Sequence, residues 1–550
     1  MAPMKFTIAG YYGFGNVGDE AILESMIADF RKRFYAPTFE ILCADYAETA
    51  SGPDLLRVSW TDWPRVLESV RDCDWLIVGG GGLFNCYLPY SIHDYLRQSQ
   101  NFAAFIFGLP VLAFLLGKGT CIYGVGANQF SCESALEHAR TGVQVAELCT
   151  VRDSLSSKIL SADESDRIRI PVHADPAFRL VNDPLPEPVL VGAGISKGES
   201  VVGVALRNCH SEAPPARWEP AVAAALHAFA LRHSVRLLFI PFHANWDMTC
   251  EFNNDQAIIR RMRSRIGESC TAELSHGLRP GQVSAILARC QMVVGMRLHA
   301  SILAVRNATP FVALDYESKV SRVMKECGLE RFVVPLPQDG GQRLSHVMET
   351  VWAQRVNIRE SLQGVSRDLA IDAGRHLEGL ATMVEKPPRL RRIDGKTAEF
   401  VARIAREQTL RVGRSETALQ NAADEARSCR QGIRGLVDAG MFQPALQMLR
   451  AWKATRGEAR GEREYLLGYC MQALRQDKAT ALRHYAAALE LGFDEFWVRY
   501  NRGQLLLNCG DYASGIADLE RACFLRPDDC GAKGAFEYWA AKTRRKMRAL

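Results

Sequence analysis

Short, wholly apolar runs alternate with amphipathic stretches through the first part of the chain. Phe6-Thr7-Ile8-Ala9 reads as a buried strand, followed by a Gly-rich turn and a helix predicted from Glu20 to about Phe34. Phe39 to Leu42, Trp75 to Val78, Thr120 to Gly126 and Cys149 to Arg152 continue the pattern. Strand, glycine turn and helix in repetition predict a parallel sheet with helices on both faces. A Pro-rich linker runs from Asn182 to Pro188, and the pattern then restarts. Val201 to Leu206, Val235 to Ile240, Met292 to Gly295 and Phe311 to Leu314 are its strands. Two α/β units in tandem are expected, with a cleft between them. Ligands of such sheets bind outside the carboxyl ends of the strands.

From Val384 to Lys396 the chain turns to Lys, Arg and Pro, which reads as a linker, and residues from about 345 to 425 read as helix and linker without a chemical signal. Beyond it the helical pattern repeats. Ala445, Leu449 and Trp452 recur as Ala481, Tyr485 and Ala488, then as Gly515, Leu519 and Ala522, and Gly503 precedes Pro527 at the spacing of a tetratricopeptide unit. Paired helices with a period near 34 carry that signature. Residues 426–530 resemble three such units, with an ordinary helical bundle as the alternative. Repeats of this kind bind a partner or hold an oligomer through their concave face.

The expected architecture is two Rossmann-like doubly wound domains, 1–187 and 198–380, then a linker and helix over 381–425, then all-α repeats over 426–550. Lys+Arg 67 against Asp+Glu 62 leaves +5, too mild a charge to predict nucleic-acid binding. A small basic tail (Lys542, Arg544, Arg545, Lys546, Arg548) reads as a solvated helix end, with contact to anionic lipid or a partner as the alternative. The 16 cysteines contain no Cys-x-x-Cys, which argues against a zinc or disulfide framework and fits a reducing cytosol. The N-terminus lacks a secretory pattern. The most apolar stretch, Phe102 to Gly117, is short of the ~20 residues a membrane span needs and contains Pro110, so it reads as buried helix and turn.

Candidate chemistry gathers at predicted strand ends. Gly10-Tyr11-Tyr12-Gly13-Phe14-Gly15-Asn16-Val17-Gly18-Asp19-Glu20 joins the first strand to the first helix, where backbone N–H groups near Asn16 and Gly18 favour an anion. Asp19 and Glu20 also fit a plain reading as caps complementing the helix dipole. Gly79-Gly80-Gly81-Gly82 follows a buried strand and permits very close backbone approach by a ligand. In the second unit Arg207, His243 (with Asp247 four residues on), Arg297 with His299, and Lys319 stand at four strand ends. They describe a cationic pocket for an anionic small molecule. A core His beside a surface Arg is the alternative for Arg297 and His299. His93-Asp94 reads as surface, and no Walker-type loop, H-E-x-x-H or G-x-S-x-G occurs.

These residues carry a resemblance. The segment Gly10 to Leu23, the glycine run before Leu83-Phe84, Gly124-Val125-Gly126, Val151-Arg152-Asp153, Ala174-Asp175-Pro176 and Gly295-Met296-Arg297-Leu298-His299 resemble, in order and spacing, the polysaccharide pyruvyl transferase family over roughly residues 5 to 330. The resemblance implies a GT-B-like fold and transfer of a pyruvyl group from phosphoenolpyruvate to two sugar hydroxyls, leaving a cyclic ketal and phosphate. It implies that Arg297, Leu298 and His299 engage the donor, His299 being the candidate acid. Arg207, His243 and Lys319 join as further donor-binding groups, and Asp19 is the candidate base toward an acceptor held by the first domain. Phosphoenolpyruvate is a co-substrate, and neither metal nor cofactor is expected. Three departures stand out: Asn85-Cys86 where an acidic residue is common, Ala127-Asn128-Gln129 where Gly-Pro is common, and Glu317 where proline is common. The first two put the acceptor's identity in doubt.

The expected protein is thus a cytoplasmic transferase of cell-envelope polysaccharide biosynthesis, peripheral at the inner face of the membrane, with a sugar or lipid-linked saccharide as acceptor. Its repeats are expected to bind a protein partner or to self-associate. A GT-B glycosyltransferase using a nucleotide sugar, or an inactive scaffold with partner-binding repeats, are the alternatives. Arg297→Ala is expected to raise the donor KM or abolish turnover while the protein stays folded.

Overall fold

The computed structural model describes residues 3–44, 49–86, 102–130, 132–161, 170–208, 215–243, 254–275, 277–316, 318–336, 341–385, 433–434, 436–437, 442–451, 457–474 and 477–547. His93, Asp94, Asp247, Glu317, Trp452 and most of the expected 381–425 linker lie outside them. The chain forms two compact units, Met1–Thr397 and Ala398–Leu550.

Among the described residues the first unit holds two six-stranded parallel sheets and a two-stranded one. Strands β1 (Lys5–Ala9), β2 (Thr38–Cys43), β3 (Leu55–Ser59), β4 (Trp75–Gly79), β5 (Phe84–Cys86), β6 (Gly119–Val125), β7 (Ala127–Phe130) and β8 (Leu148–Val151) come first. Six of them pair in the order β3-β2-β1-β4-β6-β8, and β5 pairs with β7 separately. Strands β9 (Val201–Ala205), β10 (Arg236–Phe239), β11 (Thr271–Glu273), β12 (Met292–Gly295), β13 (Phe311–Asp315) and β14 (Val333–Pro335) pair as β11-β10-β9-β12-β13-β14. Both orders are those of a Rossmann-like, doubly wound sheet. The central strands are buried on both faces, which is why they are continuous apolar runs. The expected pair of Rossmann-like, doubly wound sheets is what the structure shows, followed by a region of helices.

Strands β3, β11 and β14 escape the apolar pattern because they are sheet edges. β3 exposes Leu56 and Arg57, and β14 ends in Pro335, a residue an edge strand tolerates. The apolar stretch forms the helix Phe102–Leu115, with Pro110 inside it and Gly117 at positive φ behind it. No helix among the described residues is long and apolar enough to cross a membrane.

A 31-residue helix, Arg355–Glu385, runs from one sheet to the other. Ile358 and Leu362 belong to the core of the second sheet, whereas Leu380 and Ala381 pack with Phe6, Trp75 and Tyr123 under the first. The expected domain limit at 380 therefore falls inside a helix.

The second unit contains the helices Phe442–Ala451, Gly457–Ala473, Lys478–Glu490, Glu495–Asn508, Tyr512–Leu525 and Cys530–Met547. The recurring positions Ala445 and Leu449, Ala481, Tyr485 and Ala488, and Gly515, Leu519 and Ala522 are all buried, on alternate helices. A Cβ on Gly503 would come within 3.1 Å of the Gly515 carbonyl, so these glycines set the close approach of one helix pair.

Candidate active site

The sheet orders reverse between β1 and β4 and between β9 and β12. Those four carboxyl ends carry Gly10 to Gly18, Gly79 to Gly82, Arg207, and Arg297 to His299. The two loop sets meet. Val17 N–H donates to the Phe242 carbonyl at 2.8 Å, and Asn16 and His243 form an antiparallel bridge. The helix Val17–Arg33 starts here, capped by Asn16, whose Oδ1 accepts from Gly18 N–H at 3.0 Å. Asn16 thus takes the capping role that Asp19 and Glu20 could have filled. Glu20 instead accepts from Gly13 N–H at 2.6 Å and from Thr49, pinning the glycine loop. Burial raises its carboxyl to about 8 against these bonds.

Asp19 is different. It is 7% exposed, and its carboxylate makes no hydrogen bond among the described residues. It lies against Gly81, where a Cβ would overlap its Oδ1; Gly81 has φ +71°. Burial pushes Asp19 up to about 6, although His299 and Arg152 pull it down. The glycine run therefore admits a carboxylate of this chain. Gly80 is also at positive φ, with a prospective Cβ 2.8 Å from the Tyr12 hydroxyl and from Ile22. The Gly82 carbonyl is tied to the Asn85 side chain.

His299 crosses the cleft to meet this group. Its ring covers Gly18 so closely that a Cβ there would overlap Nδ1. Its Nε2 lies 3.6 Å from Asp175 Oδ2 and has no hydrogen-bond partner among the described residues. Arg152 Nη1 donates to the same Oδ2 at 2.8 Å, while Asp175 Oδ1 caps the turn Pro176–Arg179 by accepting from Ala177 N–H at 3.0 Å. Burial alone would raise Asp175, but His299 and Arg152 outweigh it and hold the carboxyl well below the usual range. Asp19, His299, Asp175 and Arg152 form one buried cluster of two carboxyl groups, an imidazole and a guanidinium. Asp175 and Arg152 sit in segments the sequence singled out by resemblance, without a role.

Arg297 is bound by the protein itself. Its Nε donates to Asp255 Oδ2 at 3.2 Å and its Nη2 to Oδ1, and Asp255 is fully buried. Asp255 also accepts from the Phe242 and His243 N–H groups at 3.0 and 2.9 Å. Arg297 thus helps fix the loop after β10, so Arg297→Ala removes a buried ion pair as well as a candidate ligand group. Only its remaining N–H groups are left for a ligand.

Two expectations are corrected. His243 is buried, and its Nε2 is 3.1 Å from the Phe14 carbonyl, to which it can only donate. Burial, aided by Arg297, lowers it to about 3, so it is a neutral pin between the two loop sets and adds no charge to the pocket. Leu298 is 5% exposed and belongs to the core of the second sheet, which takes its side chain out of reach of a donor.

Arg207 and Lys319 converge on one ring. The Arg207 guanidinium lies 4.8 Å from the Tyr316 ring centroid and donates to its hydroxyl, and Lys319 Nζ lies 5.1 Å from the same centroid. Two cations around one half-buried aromatic, at the ends of β9 and β13, suit an anion better than any other ligand class. Among the described residues no group of three His, Cys, Asp or Glu is placed to hold a metal ion.

Residues 16–318, more than half of the chain, match the family model described as polysaccharide pyruvyl transferase. A 48-residue stretch is 42% identical to the amylovoran biosynthesis protein AmsJ of Erwinia amylovora, covering 9% of this chain and 12% of that protein. The matched part is thus a small fraction of that relative's length. Similar solved structures include a UDP-glucosyltransferase from Polygonum tinctorium (14% identity, TM-score 0.44, 70% of this chain and 99% of that one). The ADP-heptose heptosyltransferase II of E. coli is another (12% identity, TM-score 0.39, 64% of this chain and 100% of that one). The UDP-GlcNAc 2-epimerase of Neisseria meningitidis is a third (10% identity, TM-score 0.43, 69% of this chain and 100% of that one).

Proposed function

The chain belongs to the polysaccharide pyruvyl transferase family, and from that premise we propose that it moves a pyruvyl group from phosphoenolpyruvate to two hydroxyls of a saccharide. The products are a cyclic ketal and inorganic phosphate. The observation that carries this reading is the placing of His299 from the second sheet against Gly18 and Asp175 of the first, next to the residue pair Gly18–Asp19, with Arg207 and Lys319 gathered on Tyr316 at strand ends of the second sheet.

Phosphoenolpyruvate brings a carboxylate and a phosphate, which Arg207, Lys319 and the spare N–H groups of Arg297 are suited to bind. Protonation of its methylene carbon leaves an oxocarbenium-like centre at the next carbon. His299 is the candidate acid for this step. One sugar hydroxyl adds to that centre and yields its proton to Asp19, whose raised pKa suits a base working near neutrality. The carbon–oxygen bond to phosphate then breaks, and the second hydroxyl closes the ketal. Of the two hydroxyl protons, one replaces the proton spent on the methyl group and the other leaves on phosphate. Asp175 and Arg152 hold His299 in place and balance its charge.

The acceptor class follows the family and AmsJ, a protein of amylovoran biosynthesis. It is a polysaccharide or its precursor, lipid-linked or free. The reaction would take place in the cytoplasm, at the inner face of the membrane where the acceptor is lipid-linked. The helical unit, read as tetratricopeptide-like, would recruit a partner protein or a second copy of the chain.

Calorimetry of the full-length protein with phosphoenolpyruvate and with a panel of nucleotide sugars tests the donor, with Lys319→Ala as control. Binding of phosphoenolpyruvate that weakens in the variant is the expected result. Binding of a nucleotide sugar with none of phosphoenolpyruvate replaces this reading with that of a glycosyltransferase.

A further inference from the structure

Asp175 is the hub of the buried cluster, since one oxygen serves both Arg152 and His299. Its own turn contributes the Ala177 N–H bond to the carboxylate and the Phe178 N–H bond to the Asp175 carbonyl. The residue before it is held from outside. Asp372 Oδ2 accepts from Ala174 N–H at 2.7 Å, and His376 Nε2 meets the Ala174 carbonyl at 3.0 Å. Asp372 and His376 are one turn apart on the helix Arg355–Glu385, so they project from one face. Between them they take both polar groups of Ala174.

The hydrogen-bond roles are fixed. A carbonyl only accepts, so His376 Nε2 carries the proton. Its Nδ1 then accepts from the Thr150 hydroxyl at 2.8 Å, and that oxygen in turn accepts from Gly124 N–H at 3.1 Å. His376 is fully buried and its ring is neutral, lowered to about 4 chiefly by burial. Asp372 also receives His173 Nδ1 at 3.4 Å and Arg375 at 3.0 Å. The same helix offers the Ala370 carbonyl to Arg179, which pairs with Asp29 on the first helix. The stretch reads as ordinary helix in sequence, yet it grips the Asp175 turn at each of these points.

We propose that Asp372 and His376 are positioning residues for the transfer reaction, clamping the Ala174 peptide groups so that the Asp175 carboxylate stays at the fork between Arg152 and His299. Neither touches the reacting atoms. This rests on the proposed function for the meaning of its activity assay, but not for its structural readout.

The test uses the full-length chain with four substitutions: Asp372→Ala, Asp372→Asn, His376→Phe and His376→Gln. Asn keeps an acceptor for Ala174 N–H, and Gln keeps both a donor for the Ala174 carbonyl and an acceptor for Thr150. In Asp372→Ala and His376→Phe, kcat is expected to fall about 10- to 100-fold, the range for a displacement of about 1 Å at a reacting group. KM for phosphoenolpyruvate stays within about twofold, because the donor-binding cations are untouched. Asn and Gln are expected to recover most of kcat. In parallel, NMR of isotope-labelled histidine rings follows His299, assigned by its loss in His299→Gln. Its ring signals are expected to move in Asp372→Ala and His376→Phe and to return in the conservative variants. Folded Ala and Phe variants with unmoved His299 signals would overturn the proposal, as would equal losses in all four variants. If the wild-type protein turns over no phosphoenolpyruvate, the proposed function fails, and the ring signals still decide this question.

Discussion

Asp19→Asn exchanges a buried, unbonded carboxylate for a neutral side chain of the same shape. An ordinary aspartate titrates at 3.8, and Asp19 titrates at about 6. That gap is worth about 3 kcal/mol between the two protonation states. The native carboxyl keeps its proton to higher pH than the unfolded chain does. On account of this group, unfolding free energy is therefore greatest below pH 4 and falls as pH rises to about 6. Removing the charge should stabilise the α/β unit by up to about 3 kcal/mol at pH 8 and by almost nothing below pH 4. The assay is thermal unfolding of full-length wild type and variant across that pH range, with amide exchange of β1 and β4 reporting on this unit alone. The variant is also expected to lose turnover, so stability and activity move in opposite directions. An offset between the two proteins that does not change with pH would refute the reasoning, because Asp19 would then be an ordinary solvated carboxylate.

Arg297→Ala should destabilise the α/β unit by about 3 kcal/mol, since it leaves Asp255 buried with only two backbone partners. Adding Asp255→Asn should restore part of the loss, and a wild-type unfolding midpoint for the single variant would return Arg297 to pure ligand binding. Lys319→Ala should raise KM for phosphoenolpyruvate about tenfold, by loss of one charge-assisted contact, with circular dichroism unchanged; an unaltered KM would remove Lys319 from the donor site. Gly81→Ala should cost at least about 1 kcal/mol at its positive φ and also lower kcat by displacing Asp19, measured by unfolding and by turnover.

Much of the fold is legible in the sequence because the central strands β1, β4, β9 and β12 are buried on both faces and so are written as unbroken apolar runs. The edges β3, β11 and β14 are short or half-polar, and nothing local distinguishes them from loops. In the site, Asp19, Arg297 and His299 are visible because glycine turns and strand ends point to ligand-facing positions. What Arg297 actually holds is not visible. Its partner Asp255 opens a helix 42 residues earlier and is brought close only by the parallel crossover between β10 and β12. The same holds for His243, which looks like a cation until burial and the Phe14 carbonyl make it neutral. Asp372 and His376 lie on a helix whose periodicity says only that one face is buried. Their partners come from Thr150 and Ala174, some 200 residues away, and no spacing rule reaches that far.

Phosphorus and proton NMR of the full-length protein incubated with phosphoenolpyruvate and saccharide acceptors test the central claim most directly. The account predicts release of inorganic phosphate that depends on the acceptor, the appearance of a ketal methyl group on the sugar, and loss of both in His299→Gln. Turnover of a nucleotide sugar on the same acceptors, with phosphoenolpyruvate left intact, would contradict it.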